Sequence, residues 1–80
     1  MEGLAVGRIV HYVLESGNRG ESRPAIVVRL WEPGGGDNGC AQLQVFTDDQ
    51  NDALPGTVWR TSVTHDAAGS PGTWHWPKRE

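Results

Sequence analysis

Cysteine is almost absent from this chain: Cys40 is the only one, so no disulfide can close within it. Lysine is as scarce, with Lys78 alone, and 7 Lys+Arg face 10 Asp+Glu for a formal net charge of -3. A protein that holds a long nucleic-acid backbone presents a basic face, so this balance argues against that partner and leaves room only for a small anion. No apolar run approaches the roughly 20 residues of a membrane span, and neither a membrane segment nor a membrane partner is expected. Met1-Glu2-Gly3 carries no basic region and no apolar stretch follows it, so no secretory leader is expected. Gly3 is one place too far along for myristoylation. His11, His65 and His75 fall on three separate segments without metal-ligand spacing, so neither a metal nor another cofactor is expected. Together these shortages point to a cytoplasmic protein with a reduced Cys40.

What the chain has is glycine, 11 of them, 5 prolines and 4 tryptophans in 80 residues. That length makes one domain over 1–80, with 78–80 expected to fray. A chain this short buries only about 60–65% of its unfolded surface and is marginally stable alone. Without a disulfide or metal, the common remedy is association, and a homo-oligomer is expected. The rival is a compact all-β monomer tightened by its tryptophans.

Apolar residues recur with period 2 rather than 3.6. Val6 to Leu14 reads as a strand, with Val6, Arg8, Val10, Tyr12 and Leu14 on one face and Ile9, His11 and Val13 on the other. Glu15 to Ser22 is a loop. Pro24 to Trp31 is a second strand, with Pro24 at its start or on an edge. Its Ile26, Val28 and Leu30 face looks like core, against Ala25, Val27, Arg29 and Trp31. Pro33 to Gly39 turns the chain, and Cys40 to Thr47 is a half-exposed third strand in which Leu43 and Val45 alternate with Gln42, Gln44 and Phe46. Thr47 to Leu54 holds one helical turn capped by Thr47 or Asp48. Val58 to Val63 is a fourth strand, 65–72 a loop, and Thr73 to Pro77 a short last strand. The fold expected is all-β: a small antiparallel barrel or roll of about five strands, SH3-like or OB-like in size, with at most one short helical turn.

The candidate binding residues are aromatics and arginines. Trp74 and Trp76 are two apart and share a strand face, which suits either core packing or a platform for a planar ligand; Tyr12 and Trp31 are the other stacking candidates, while Trp59 reads as core or pocket. Arg8, Arg29 and Arg60 lie in apolar strands, where a guanidinium can take a phosphate with two parallel hydrogen bonds. Thr61, Ser62, His11 and His75 offer polar groups to complete such a site. Asp48 to Asp52 lacks the glycine and terminal glutamate of a calcium loop, although Asn51 and Asp52 could meet a base or ribose. Gly34 to Gly36 lacks the Gly-Lys-Ser/Thr of a phosphate loop. No catalytic group is assigned; His11, His65 or His75 would have to supply one if the protein were a small phosphodiesterase.

Four segments, Val6-Gly-Arg-Ile-Val-His-Tyr-Val, Arg23-Pro-Ala-Ile-Val-Val, Leu43-Gln-Val-Phe-Thr-Asp and Pro71-Gly-Thr-Trp-His-Trp-Pro77, resemble a family of small bacteriophage and prophage proteins, most specifically in the closing Gly-Thr-Trp-His-Trp-Pro. The chain is similar also to phage immune-evasion sponges of the anti-CBASS kind. That resemblance implies an oligomer in the host bacterial cytoplasm that sequesters a cyclic dinucleotide or related immune signal without cleaving it. The competing expectation is a phage structural or protein-interaction module, with Trp74 and Trp76 as anchors for a host or virion protein.

Overall fold

The computed structural model describes residues 1–78. Five strands form one sheet: β1 (Ile9–Val13), β2 (Ser22–Leu30), β3 (Ala41–Phe46), β4 (Thr57–Val63) and β5 (Trp74–His75). Their order is β4-β3-β2-β1-β5, with every neighbouring pair antiparallel. β1 to β4 are a meander, and β5 returns to lie beside β1. The chain just past β4 then pairs with β5 through a parallel bridge between His65 and Trp74. The Trp74 N–H donates to the Thr64 carbonyl at 3.0 Å, and the Asp66 N–H donates to the Trp74 carbonyl at 2.9 Å. These two bonds close the sheet into a roll, so the all-β expectation holds. The helical content among the described residues is two 3-10 turns, Pro33–Gly35 and Asp49–Asp52. The expected fraying of 78–80 falls largely on 79 and 80, outside the described residues.

The inner face collects Val10, Tyr12 and Leu14 from β1 and its end, Ala25 and Val27 from β2, Ala41, Leu43 and Val45 from β3, Val63 from β4 and Trp74 from β5. Trp74 is fully buried and its Nε1–H donates to the Gly39 carbonyl at 2.7 Å, which satisfies the one polar atom of the indole. Gly39 makes room for that contact: a Cβ there would stand 2.9 Å from the ring.

The core face of β2 is Ala25 and Val27, and not Ile26, Val28 and Leu30 as the sequence pattern suggests. Ala25 and Val27 are small because they sit against Leu43 and Val45 of β3. A bulge between Val27 and Arg29 then resets the alternation, so Leu30 turns inward while Val28 is left outside. Pro24 lies within β2 rather than at its start. β2 pairs with β1 as far as Ser22 but with β3 only from Ala25 onward, because Pro24 has no N–H for that ladder. The last strand is also shorter than expected, with only Trp74 and His75 in register with β1.

A buried ion pair ties the start of β2 to the β3–β4 loop, and Asn18 brings the β1–β2 loop to the same carboxylate. Asp52 is fully buried, and its carboxylate accepts from Arg23 Nε at 2.7 Å, Arg23 Nη2 at 2.6 Å, Asn18 Nδ2 at 2.8 Å and the Asp48 N–H at 2.6 Å. Gly17, at φ +69°, lets the first loop pass so close that a Cβ would stand 1.9 Å from the Asp52 carbonyl oxygen. The helical turn begins as expected near Thr47, whose Oγ1 accepts from the Asp49 N–H at 3.2 Å. Asp52 is thus spent on the fold, buried and fully bonded, and does not meet a base or ribose as expected.

Two stability predictions follow from this packing. Trp74→Ala costs about 3–5 kcal/mol in urea unfolding, whereas Val28→Ala on the open face stays within about 0.5 kcal/mol; equal losses would contradict the assignment of the core. The second concerns acid. The Arg23 guanidinium holds the Asp52 carboxyl well below its ordinary 3.8, against the opposing pull of burial. A depressed folded value stabilises the fold above pH 3.8 and loses that contribution as pH falls below it. The urea midpoint therefore declines on acidification from that point. Asp52→Asn lowers stability at neutral pH, by on the order of 10 °C in Tm, and flattens the acid decline; an unchanged acid slope would show that the pair does not control it.

Candidate functional site

The outer face of the sheet carries the exposed aromatics. The register aligns Ile9, Ile26, Gln44 and Trp59 in one row across β1 to β4. Residues in such a row share a face, and burial marks it as the outer one: Ile9 is 46% and Trp59 47% exposed. Phe46 and Val28 are exposed on the same side, and Trp31 follows the end of β2 at 46% exposure.

Gln42 organises one corner of this face. β4 opposes it with two residues, Thr61 and Ser62, through a bulge in which Ser62 takes φ +54°. The Gln42 Oε1 accepts from Trp31 Nε1 at 2.9 Å, from Thr61 Oγ1 at 2.7 Å and from the Ser62 N–H at 2.6 Å. The Ser62 and Thr61 hydroxyls lie 3.3 Å apart. Arg29 pairs with Gln42 across the ladder, and its guanidinium lies over the Trp31 ring at 4.5 Å from the centroid. A cation on an exposed indole contributes about 0.5–1 kcal/mol, enough to orient both groups. Arg29 makes no ion pair with an acidic side chain among the described residues. Three of the expected site residues, Trp31, Thr61 and Ser62, are therefore gathered by one amide oxygen, and a fourth, Arg29, joins them over the Trp31 ring.

The remaining expected residues do not join them. Tyr12 and Trp74, both expected to stack on a ligand, are 1% and 0% exposed and belong to the core. Trp76 is half-buried, edge-on to Trp74 at 5.1 Å, and carries Arg8 over its ring at 5.0 Å. Trp74 and Trp76 thus form a T-shaped pair and not a flat platform. Arg60 turns to the inner side, opposite Leu43, where it lies over Tyr12. Its Nε stands 3.4 Å from Glu15 Oε1, within ion-pair reach but without the alignment of a hydrogen bond. The Tyr12 hydroxyl donates to the same Glu15 Oε1.

The histidines come together elsewhere. His11 and His75 face each other across β1 and β5, ring centroids 5.7 Å apart. His75 is 6% exposed; its Nδ1 bonds the Trp76 carbonyl at 2.9 Å and its Nε2 the Ser22 Oγ at 3.0 Å. With the carbonyl able only to accept, Nδ1 carries the proton and Nε2 takes the Ser22 hydroxyl. The Nε2 bond holds β5 to β2 across β1, and the Nδ1 bond fixes the ring against its own segment. His65 is packed edge-on against Trp74 at 4.8 Å. Among the described residues there is no cluster of three metal-ligating side chains, no enclosed pocket, and no helix long and apolar enough to cross a membrane.

One member of the outer-face site escapes sequence reasoning, and a second, Trp59, reads there only as core or pocket. Gln42 is a glutamine in a half-exposed strand like Gln44, and only the bulge makes it a hub. Trp59 becomes legible once Leu43 and Val45 fix which face of β3 is buried. Compared with known proteins, the chain matches no family model, no curated protein and no solved structure.

Tyr12 provides a test of this division between inner and outer faces. Burial first, and then its bond to Glu15, push the phenol up from 10.0 to about 12. A raised folded value stabilises the fold fully below pH 10.0, and that contribution is lost as pH rises toward about 12. Tyr12 is the only tyrosine, so phenolate absorbance reports it alone. The absorbance should develop near pH 12, and Tyr12→Phe should remove the alkaline loss of stability in that window. Titration near 10 in the folded protein would place Tyr12 on the surface.

Proposed function

We propose that the protein is a non-catalytic binding module that sequesters a small phosphate-bearing nucleotide, of the cyclic dinucleotide or cyclic ADP-ribose type, on the outer face of its sheet. The observation that carries this reading is the convergence of Arg29, Trp31, Thr61 and Ser62 on Gln42. Each group has a role in such a complex. Arg29, without an acidic partner, supplies two parallel N–H donors to a phosphate. Trp31 and Trp59 supply exposed ring area for a base. The Thr61 and Ser62 hydroxyls can turn toward ribose or phosphate oxygens. The Gln42 Oε1 is occupied by its three donors, which leaves its amide N–H groups to read a base edge.

Sequestration needs tight holding and no bond cleavage, which fits a site made of an arginine, an amide, indoles and hydroxyls. The chain's acidic balance favours a small anion over a long one. The resemblance of its opening, middle and closing segments to small phage and prophage proteins, and the chain's similarity to phage immune-evasion sponges, support a defence signal as the ligand and the host bacterial cytoplasm as the place of action. A second reading is favoured by the apolar part of the same face, where Ile9, Val28 and Phe46 are exposed. Such a surface docks a host or virion protein.

Calorimetry against a panel of cyclic dinucleotides and cyclic ADP-ribose isomers decides between them. At least one should bind with micromolar or tighter affinity. Arg29→Ala or Trp31→Ala should weaken it by at least about tenfold, while Arg60→Ala should not. The nucleotide should be recovered intact after heat denaturation. Absence of binding across the panel, together with stoichiometric capture of one host or virion protein, would establish the second reading instead.

A further inference from the structure

We infer that β4 is a self-pairing edge through which two copies of this chain join antiparallel about a two-fold axis at Trp59. The inference is independent of the ligand. β5, at one end of the strand order, is covered by the bridge from His65. β4, at the other end, has β3 on one side and no strand on the other among the described residues. The Thr47 N–H donates to the Gly56 carbonyl at 2.9 Å, so that pair is hydrogen-bonded. Antiparallel ladders alternate. Val58 and Arg60 therefore turn their backbone groups toward β3, and Thr57, Trp59 and Thr61 turn theirs outward. Proteins usually blunt such an edge with lysine, proline or an inward charge. The segment Thr57-Val-Trp-Arg-Thr61 contains neither lysine nor proline, and its one charge, Arg60, points inward but is already opposed by Glu15 and stacked on Tyr12, so the outward-bonding positions Thr57, Trp59 and Thr61 carry no charge.

The sequence of the edge itself suits a second copy of this chain. Thr57-Val-Trp-Arg-Thr61 is symmetric about Trp59 in its outward-bonding positions: Thr, Trp, Thr. In an antiparallel pair centred there, Thr57 meets the partner's Thr61, and Trp59 meets the partner's Trp59. Both are favourable cross-strand pairs, and both lie at positions whose N–H and C=O point across the edge. The free length selects this register. Pro55-Gly56 ends the edge on one side and the Ser62 bulge ends it on the other, so Trp59 is the midpoint. A shift of two residues one way sets Arg60 opposite the partner's Arg60, and the other way sets Thr61 opposite the partner's Pro55, which has no N–H to donate. The Trp59 carbonyl already accepts from Arg60 Nη1 at 3.0 Å, and its second lone pair remains for the partner N–H.

Sedimentation of the wild type and of Trp59→Lys at sub-millimolar concentration tests the pairing. Trp59 is exposed, so the lysine leaves the fold intact, which far-UV circular dichroism verifies. It also sets two ammonium groups across the axis. The wild type should sediment at twice the 8.7 kDa chain mass or an even multiple, and Trp59→Lys should weaken the pairing at least about tenfold. In a Cys40→Ser background, Trp59→Cys should oxidise to a covalent dimer, since Cα atoms of a hydrogen-bonded pair stand about 5.5 Å apart. Val28→Cys, exposed but away from the edge, should not. A wild type that stays at the chain mass, or an assembly that Trp59→Lys leaves unaltered, overturns the inference.

Discussion

The seam at Trp74 holds this fold together. A sheet of five short strands leaves its last strand with only two residues in register, too few to anchor an element by backbone pairing alone. Trp74 compensates by bonding on every side. Its backbone pairs with β1 and with the chain leaving β4, its indole fills the roll, and its Nε1–H reaches Gly39. Burial of one large aromatic thus joins the two ends of the sheet, and it fixes which face of every strand points inward. A chain with no disulfide depends on such a plug more than a larger domain would.

Once Trp74 fills the interior, there is little room for the other aromatics. Ala25 and Ala41 are the small residues that the plugged roll accepts at its centre, and Trp31, Phe46 and Trp59 are left on the outside. The surplus of aromatic surface is therefore a consequence of how the core is satisfied. The β4 bulge then gives that outer face its chemistry. By placing Thr61 and Ser62 both opposite Gln42, it brings hydroxyls, an amide, an indole and a guanidinium to one corner. The Arg23–Asp52 pair acts at a distance from this corner, holding the β3–β4 loop against the start of β2 and so setting where β4 begins.

Much of the fold was legible in the sequence, because period-2 alternation survives wherever a strand is regular. β1 and β3 follow it: Val10 and Tyr12, and Leu43 and Val45, turn inward as their spacing requires. β2 does not, because the bulge at Val28 breaks the period between two residue sets that look equally apolar. The order of preference between Ala25-Val27 and Ile26-Val28-Leu30 depends on how much volume Trp74 leaves, which is a tertiary quantity. The same reason governs the site. Trp74 and Trp76 are two apart and ought to share a face, yet one is the plug and the other packs edge-on beside it. Arg29 and Trp31 show their pairing in their spacing. Gln42 has no local signature, because its role comes from a bulge formed by residues about twenty positions away.

The central claim is that ligand chemistry resides on the outer face around Gln42 while the Trp74 seam remains structural. Indole N–H resonances measure this directly, since the 4 Trp give four separable reporters. On titration with a bound cyclic nucleotide, the Trp31 and Trp59 indole signals should move and the Trp74 signal should stay. Movement confined to Trp74 and Trp76, with Trp31 and Trp59 unmoved, would contradict the account.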